Sequence, residues 1–396
     1  MTIPRSREHR VLVVGAGVSG LTSALCLARA GFEVEVVADR FAPDVVSVVA
    51  GALWEWPPAV CGHHRDQASL ARSKDWCMVS YEIFDDLARD RQTGVFMRTS
   101  NFYFRHRLEE RPRELRKMWE LASRVRGFVR DIGLAYLNGV DSSAGIRDAY
   151  AHLAPMIDTD RYMAWLRRQV EDAGVRIHRR RIEGRLSEQE ARLQQEFGVA
   201  AIVNCAGLGA IGLHGASMYA LRGALVHVRN DGRRMPRVDE AHCVSPDERA
   251  GDPNFIFIVP RGRDVLALGG LAEIDEHDLE VGLHDYPPIR DMYERCVAFL
   301  PALREAELVS EDPVRVGLRP FRRANVCLER EPGTRIIHNY AHGGAGFTFS
   351  WGCAHEVTER VRDMRTELWS PVLGRREPVI AGSLHPASSL AVRQPG

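Results

Sequence analysis

Two hydrophobic periods divide this chain. Near its start the continuous apolar run Val11-Leu12-Val13-Val14 reads as a buried strand, and residues 21–28 place apolar side chains on one face of a helix. Glu33-Val34-Glu35-Val36-Val37 then alternates as a strand does. Helical patterning returns over 75–87, over a charged stretch at 112–132, and over 163–170, where Asp158 and Asp160 suit the start and Gly174 the stop. Residues 175–178 and 199–203 read as further strands, the second stopping at Cys205-Ala206-Gly207. Between 221 and 270 the style changes to alternating segments at 224–228, 255–260 and 265–270, which predict an antiparallel sheet. The chain then returns to strand, turn and helix, with 335–338 running into a second glycine-rich turn, Gly343-Gly344-Ala345-Gly346-Phe347-Thr348.

The first turn, Gly15-Ala16-Gly17-Val18-Ser19-Gly20, lies between a strand and a helix, where a dinucleotide fingerprint belongs. Gly15 permits the tight turn, Gly17 lets a pyrophosphate approach bare backbone, and Gly20 lets helix pack on strand. The helix N-terminus supplies N–H donors and partial positive charge. Asp39 follows at about 20 residues' distance, where an acidic group takes a ribose hydroxyl. This motif alone does not separate FAD from NAD. The predicted fold is α/β, with a Rossmann-like nucleotide domain built from discontinuous segments (1–58, 146–215 and 311–396) and a substrate domain (59–145 and 216–310) carrying a curved antiparallel or mixed sheet.

Composition narrows the function classes. With 396 residues, 45% hydrophobic, the chain can bury two domains, and 53 basic against 53 acidic residues leave no net field to gather nucleic acid or an anionic membrane. Lys74 and Lys117 are the only lysines, which leaves few candidates for a Schiff base and argues against a pyridoxal enzyme. The eight cysteines show no Cys-x-x-Cys spacing and read as reduced thiols in a cytoplasmic protein. The apolar stretch at 11–28 is explained by the fingerprint rather than by a signal segment. No run reaches the roughly 18 apolar residues of a membrane span, and the C-terminal Val392–Gly396 is no peroxisomal address. His338 and His342 have the i, i+4 spacing of a metal pair, but a strand running into a glycine turn is the wrong context, and no metal is expected.

Six ordered segments carry a resemblance: Ala38-Asp39-Arg40-Phe41-Ala42-Pro43, Gly51-Ala52-Leu53-Trp54, Ile202-Val203-Asn204-Cys205-Ala206-Gly207, Gly317-Leu318-Arg319-Pro320, Leu328-Glu329-Arg330-Glu331, and Ile337-His338-Asn339-Tyr340 through Gly352-Cys353-Ala354. Together they resemble the D-amino-acid oxidase family of FAD-dependent oxidoreductases over nearly the whole chain. The resemblance implies hydride transfer from a substrate α-carbon to FAD, hydrolysis of the resulting imine, and reduction of O2 to hydrogen peroxide. The implied partners are a small amino acid or amine and O2, with a homodimer left open. Arg319 matches the family's carboxylate-binding arginine, whose planar fork fixes orientation as well as charge. Gly344 matches a backbone carbonyl that takes the substrate amine. FAD contacts are implied for the first turn (Gly15, Ala16, Gly17, Val18, Ser19, Gly20), for Asp39, Arg40, Gly51, Ala52 and Leu53, and for Arg181 and Ile182. They are also implied for Cys205, Ala206, Gly207, Arg319 and His338, and for Gly343, Gly344, Gly346, Phe347 and Thr348 of the second turn.

Phe257 departs from the pattern, since family members acting on D-amino acids place a tyrosine hydroxyl there against the carboxylate. The missing hydrogen bond is worth roughly 1–2 kcal/mol, about tenfold in affinity. A second family tyrosine aligns near Pro253, in a loop expected to be a lid, and Glu55 stands where glutamine is usual. The leading expectation is a D-amino-acid oxidase. Its rivals are a glycine- or sarcosine-type secondary-amine oxidase, a flavin dehydrogenase passing electrons to a carrier, and a non-catalytic FAD-binding protein.

Overall fold

A computed structural model describes residues 9–57, 62–245 and 255–369. Along the chain the strands are β1 (Arg10–Val14), β2 (Glu33–Ala38), β3 (Val95–Phe104), β4 (Val129–Arg130), β5 (Asp148–Ile157), β6 (Arg176–Arg179), β7 (Ala201–Asn204) and β8 (Met218–Arg229). They continue with β9 (Ala241–Val244), β10 (Ile256–Arg261), β11 (Val265–Gly269), β12 (Glu273–Ile274), β13 (Val314–Arg322), β14 (Cys327–Arg330) and β15 (Ile336–Tyr340). Six form one sheet in the order β14-β15-β7-β1-β2-β6, parallel except for β14. The other nine form a second sheet, β12-β8-β11-β10-β9-β3-β5-β4 with β13 also on β8. It is antiparallel apart from the β3–β9 pair, so it is mixed.

The six-stranded sheet is assembled as its apolar runs require. Leu12 and Val13 in β1, Val36 and Val37 in β2, and Ile202 and Val203 in β7 are all fully buried, the mark of parallel strands covered on both faces. Helix Val18–Arg29 packs on one face between helices Thr159–Asp172 and Gly346–Trp369. A Cβ on Gly20 would stand 1.9 Å from the Gly15 carbonyl oxygen, so glycine there sets how closely helix approaches turn. Asp158 caps the helix Thr159–Asp172 by accepting from the Arg161 amide at 3.4 Å, and Gly174 follows its end at φ +81°.

Several elements differ from the pattern reading. The helix expected over 75–87 begins eight residues earlier, at Gln67, where Asp66 caps it by accepting from Ser69 N at 2.7 Å. The charged stretch at 112–132 is helical only over Pro112–Ala122; Gly127 at φ +65° then turns the chain and Val129–Arg130 joins the edge of the nine-stranded sheet. The ten-residue strands β3 and β5, paired along their whole length, and the nine-residue β13 were not anticipated. β5 and β13 fall within segments expected in the nucleotide domain, yet both join the nine-stranded sheet. The expected lid around Pro253 lies outside the described residues, as do Pro58, Cys61 and the C-terminal residues from 370 onward. Among the described residues seven cysteines are buried and outside any disulfide, and no helix is long and apolar enough to cross a membrane.

Gly352 marks a close helix crossing, because a Cβ there would lie 2.2 Å from the Trp76 Cα and 2.4 Å from its carbonyl oxygen. Gly352→Ala is therefore expected to lower stability by about 1–3 kcal/mol, the cost of overpacking. Urea denaturation measures this, and an unchanged midpoint would contradict the close approach.

Candidate active site

A cavity of about 1490 Å³ opens where the carboxyl ends of β1, β2, β7 and β15 face the nine-stranded sheet. That is where open parallel sheets bind ligands, and the volume exceeds the ~300–1,000 Å³ of an ordinary small-molecule pocket. Gly15 holds φ +111° and donates its N–H to Val37 O at 2.9 Å; a Cβ there would lie 2.5 Å from the Cys205 carbonyl oxygen. Gly17 is the helix N-cap and offers no side chain, and the first turn carries no acidic residue. Its Val18 N–H donates to Ser47 Oγ at 3.0 Å, but no acidic group of this turn sits against the helix's positive end where it faces the cavity. Ala16, Val18 and Ser19 line it as well, while Gly20 sits behind, against Gly15.

Other expected segments converge on the same space. Asp39 and Arg40 follow the end of β2, and Arg181 and Ile182 follow β6 beside them. Cys205, Ala206 and Gly207 line the floor after β7, with Gly207 at φ +56° and open space where a Cβ would stand. Burial pushes the Cys205 thiol up to about 12, so it is an inert wall. Gly51, Ala52 and Leu53 line the middle, clamped to β5 by the Trp54 amide, which donates to Pro155 O at 2.9 Å. A Cβ on Gly51 would come within 2.4 Å of the Phe257 ring.

The second glycine turn closes this wall. Gly343 at φ +59° donates to Pro320 O at 3.0 Å, Gly344 is exposed to the cavity, and helix Gly346–Trp369 begins directly after. Gly343, Gly344, Gly346 and Phe347 line the cavity; Thr348 and His338 do not. His338 is fully buried, with Nδ1 facing Asn204 Nδ2 at 3.2 Å, Nε2 facing Glu331 at 3.2 Å, and its ring stacked on His214 at 3.6 Å.

Two histidines four residues apart thus take different partners. His342 Nε2 donates to Asn339 Oδ1 at 3.0 Å, and its Nδ1 accepts from the Ser19 hydroxyl at 3.3 Å. Burial pushes its imidazolium down to about 4, so the ring is neutral at pH 7 and both nitrogens are used. His214, Glu331 and His338 bring three ligand-type atoms within 4.8 Å of one another. The Asn204 carbonyl accepts from Ala206 N at 3.2 Å, which turns its NH2 toward His338 Nδ1 and leaves the proton on Nε2 for Glu331. Hydrogen bonds alone account for that cluster, and no metal is assigned to it.

Across the nine-stranded sheet one register row faces the cavity: Tyr150, Phe102, Cys243, Phe257, Gly269 and Leu225 are consecutive partners on β5, β3, β9, β10, β11 and β8. Arg319 enters from β13, opposite Leu221, and its guanidinium crosses Gly223, where a Cβ would stand 2.3 Å from Nη2. Its one protein hydrogen bond runs from Nη1 to Leu271 O at 3.2 Å, and no carboxylate among the described residues pairs with it. Burial lowers the guanidinium to about 10, so it remains cationic at neutral pH. Arg222, on the other face of the neighbouring strand, is instead neutralised by Glu273 at 2.9 Å. Of these two arginines, Arg319 is the one that no carboxylate among the described residues neutralises.

The residues present fit a dinucleotide carrying a flavin. The helix end would accept phosphate, Asp39 lines the cavity just past β2 where it could take a ribose hydroxyl, and the second turn sets a second helix N-terminus on the same cavity. Sequence reasoning missed Gly223, required by a guanidinium from a distant strand, and His342 as the link between the two turns. It also missed Lys117, which lines the cavity beside Glu55.

The fold and this cavity define an FAD-dependent oxidoreductase of the α/β, two-sheet type. The family model described as FAD dependent oxidoreductase (DAO) matches residues 10–360, and the chain belongs to that family, with FAD as its cofactor. It is 33% identical over 353 residues to the D-amino-acid oxidase of Rubrobacter xylanophilus, covering 88% of this chain and 94% of that protein. Against the D-amino-acid oxidase of Streptomyces coelicolor it is 34% identical over 368 residues, covering 89% and 96%. Glycine oxidase from Geobacillus kaustophilus shares the fold, with a TM-score of 0.70 at 17% identity over 90% of this chain and 95% of that one.

Two glycine substitutions separate the two ends of the site. Gly15→Ala, strained in φ and blocked by Cys205, is expected to weaken FAD binding about tenfold or more, read as flavin absorbance per protein. Gly223→Ala is expected to retain FAD and raise the KM for a carboxylate substrate about tenfold by displacing Arg319. Flavin loss in the second variant, or an unchanged KM, would contradict this placement.

Proposed function

We propose that this protein oxidises a D-amino acid at its α-carbon, giving an imino acid that water hydrolyses to a 2-oxo acid and ammonia, with O2 reduced to H2O2. The observation that carries the reading is Arg319, a half-buried guanidinium with no carboxylate partner among the described residues, in the cavity that the fingerprint turn also lines. A substrate carboxylate would satisfy both charges at once, and the guanidinium fork would fix the α-carbon's position. The Gly344 carbonyl, exposed beside it, would accept from the substrate amine. FAD supplies the acceptor for the hydride, which no side chain here can be. The N-terminus of helix Gly346–Trp369 would stabilise negative charge developing at that end of the cavity. The nine-stranded sheet would serve as the substrate domain and the six-stranded sheet as the FAD domain. Buried thiols outside any disulfide support a reducing compartment such as the cytoplasm.

A specific observation favours a second reading. Phe257 presents a ring, not a hydroxyl, to the cavity. An N-substituted glycine, oxidised as by glycine or sarcosine oxidases, would need less from that position.

Arg319→Leu is expected to keep FAD and raise KM at least about a hundredfold, since removing the charged partner of a bound carboxylate costs about 3 kcal/mol or more. Steady-state kinetics with peroxide detection tests this, and an unchanged KM would overturn the role of Arg319. Phe257→Tyr is expected to raise kcat/KM for ordinary D-amino acids about tenfold, and a fall would favour the secondary amine.

A further inference from the structure

We propose that the cavity wall around Glu55 and Lys117 is a distal subsite for an amide-type group at the end of the substrate's side chain. The inference rests on the reading above, with Arg319 holding the carboxylate end. Lys117 Nζ donates to Glu55 Oε1 at 3.4 Å; both side chains line the cavity and are only 22% and 18% exposed. One long contact does not exhaust an ammonium with three donors or a carboxylate with four lone-pair sites. Both are held in place from behind. Glu55 lies between the buried Trp54, whose indole donates to Cys77 O at 2.9 Å, and the buried Trp56. Lys117 stands on a helix anchored by the buried Met118 and Leu121.

The chemistry of the wall selects against full charges. A cationic side chain would meet Lys117, and an anionic one would meet Glu55 and the nearby cavity residue Glu114. Like charges so placed are costly out of bulk water. A carboxamide, ureido or acylamino group offers one acceptor to Lys117 and one donor to Glu55, and brings no charge to desolvate. The wall beside the pair is aromatic: Tyr150 and Phe102 lie 5.2 Å apart at 27°, a surface on which an amide plane can lie. No described residue hydrogen-bonds the Tyr150 hydroxyl, and the ring lines the cavity.

Reach follows from the register. Tyr150 on β5 lies three strands from Phe257 on β10, about 14 Å at the usual strand spacing, and burial, with a smaller push from Glu55, raises the pKa of both Tyr150 and Cys243 between them. A side chain of one or two carbons does not span this. A longer one ending in an amide reaches furthest along this row.

The test compares kcat/KM of the FAD-loaded protein for D-glutamine, D-citrulline and Nε-acetyl-D-lysine with that for D-norleucine, D-lysine and D-glutamate. The expected result is that D-citrulline or Nε-acetyl-D-lysine exceeds D-norleucine about tenfold, with D-lysine and D-glutamate below both. Lys117→Met and Glu55→Leu, each checked for bound flavin, should bring that ratio to within about twofold. Two variants are used so that one folding failure does not decide the matter. Oxidation of these D-amino acids with no amide preference, or with a preference that neither variant moves, overturns the subsite and leaves the functional reading intact. If wild-type protein oxidises none of them, the functional reading fails and the subsite with it.

Discussion

The two glycine turns, more than three hundred residues apart, are joined by a short buried chain of hydrogen bonds, and the site depends on that joint. The Ser19 hydroxyl meets His342 Nδ1, His342 Nε2 meets Asn339 Oδ1, and Asn339 Nδ2 donates to the Ser23 hydroxyl at 3.2 Å. A buried polar group left without its partner costs about 1–3 kcal/mol, so a network of this kind is stable only when complete. Burial keeps His342 neutral, and the network ties the packed helices Val18–Arg29 and Gly346–Trp369 to each other. Two helix N-termini thereby reach one cavity from opposite ends of the sequence.

Opposite that joint stands a deliberate imbalance. Arg319 is half-buried and cationic with one carbonyl partner among the described residues, while the neighbouring Arg222 is paired with Glu273. Burying an uncompensated charge is expensive, and the cost is recovered only when an anion enters. Gly223 keeps the guanidinium in place by having no side chain, and Leu271 O holds one of its nitrogens. The nine-stranded sheet is thus a frame whose empty positions matter as much as its filled ones, and Phe257, pressed against Gly51, forms part of the cavity wall.

What the sequence makes legible follows from how local each signal is. The fingerprint turn, the strands around it and the second glycine turn are local motifs, and they stand where the pattern puts them. β3 was hidden because its middle reads Arg98-Thr99-Ser100-Asn101, a polar run inside a strand whose pairing on both sides is set by distant chain. Gly317 and Pro320 disguised β13, both being poor strand residues tolerated where a strand pairs along one side only. The role of Gly223 could not be read locally, because its need arises from a side chain about a hundred residues away. Glu55 stood out by its type, but its partner Lys117 came from a charged helix that reads as plain solvated scaffold.

The most direct test of the central claim is an anaerobic absorbance titration of the FAD-loaded protein with matched D- and L-amino acids, glycine and sarcosine. Bleaching of the flavin band by D-amino acids and not by their L-enantiomers is the predicted result. Bleaching by glycine or sarcosine alone, or by L-amino acids in preference to D, would contradict it.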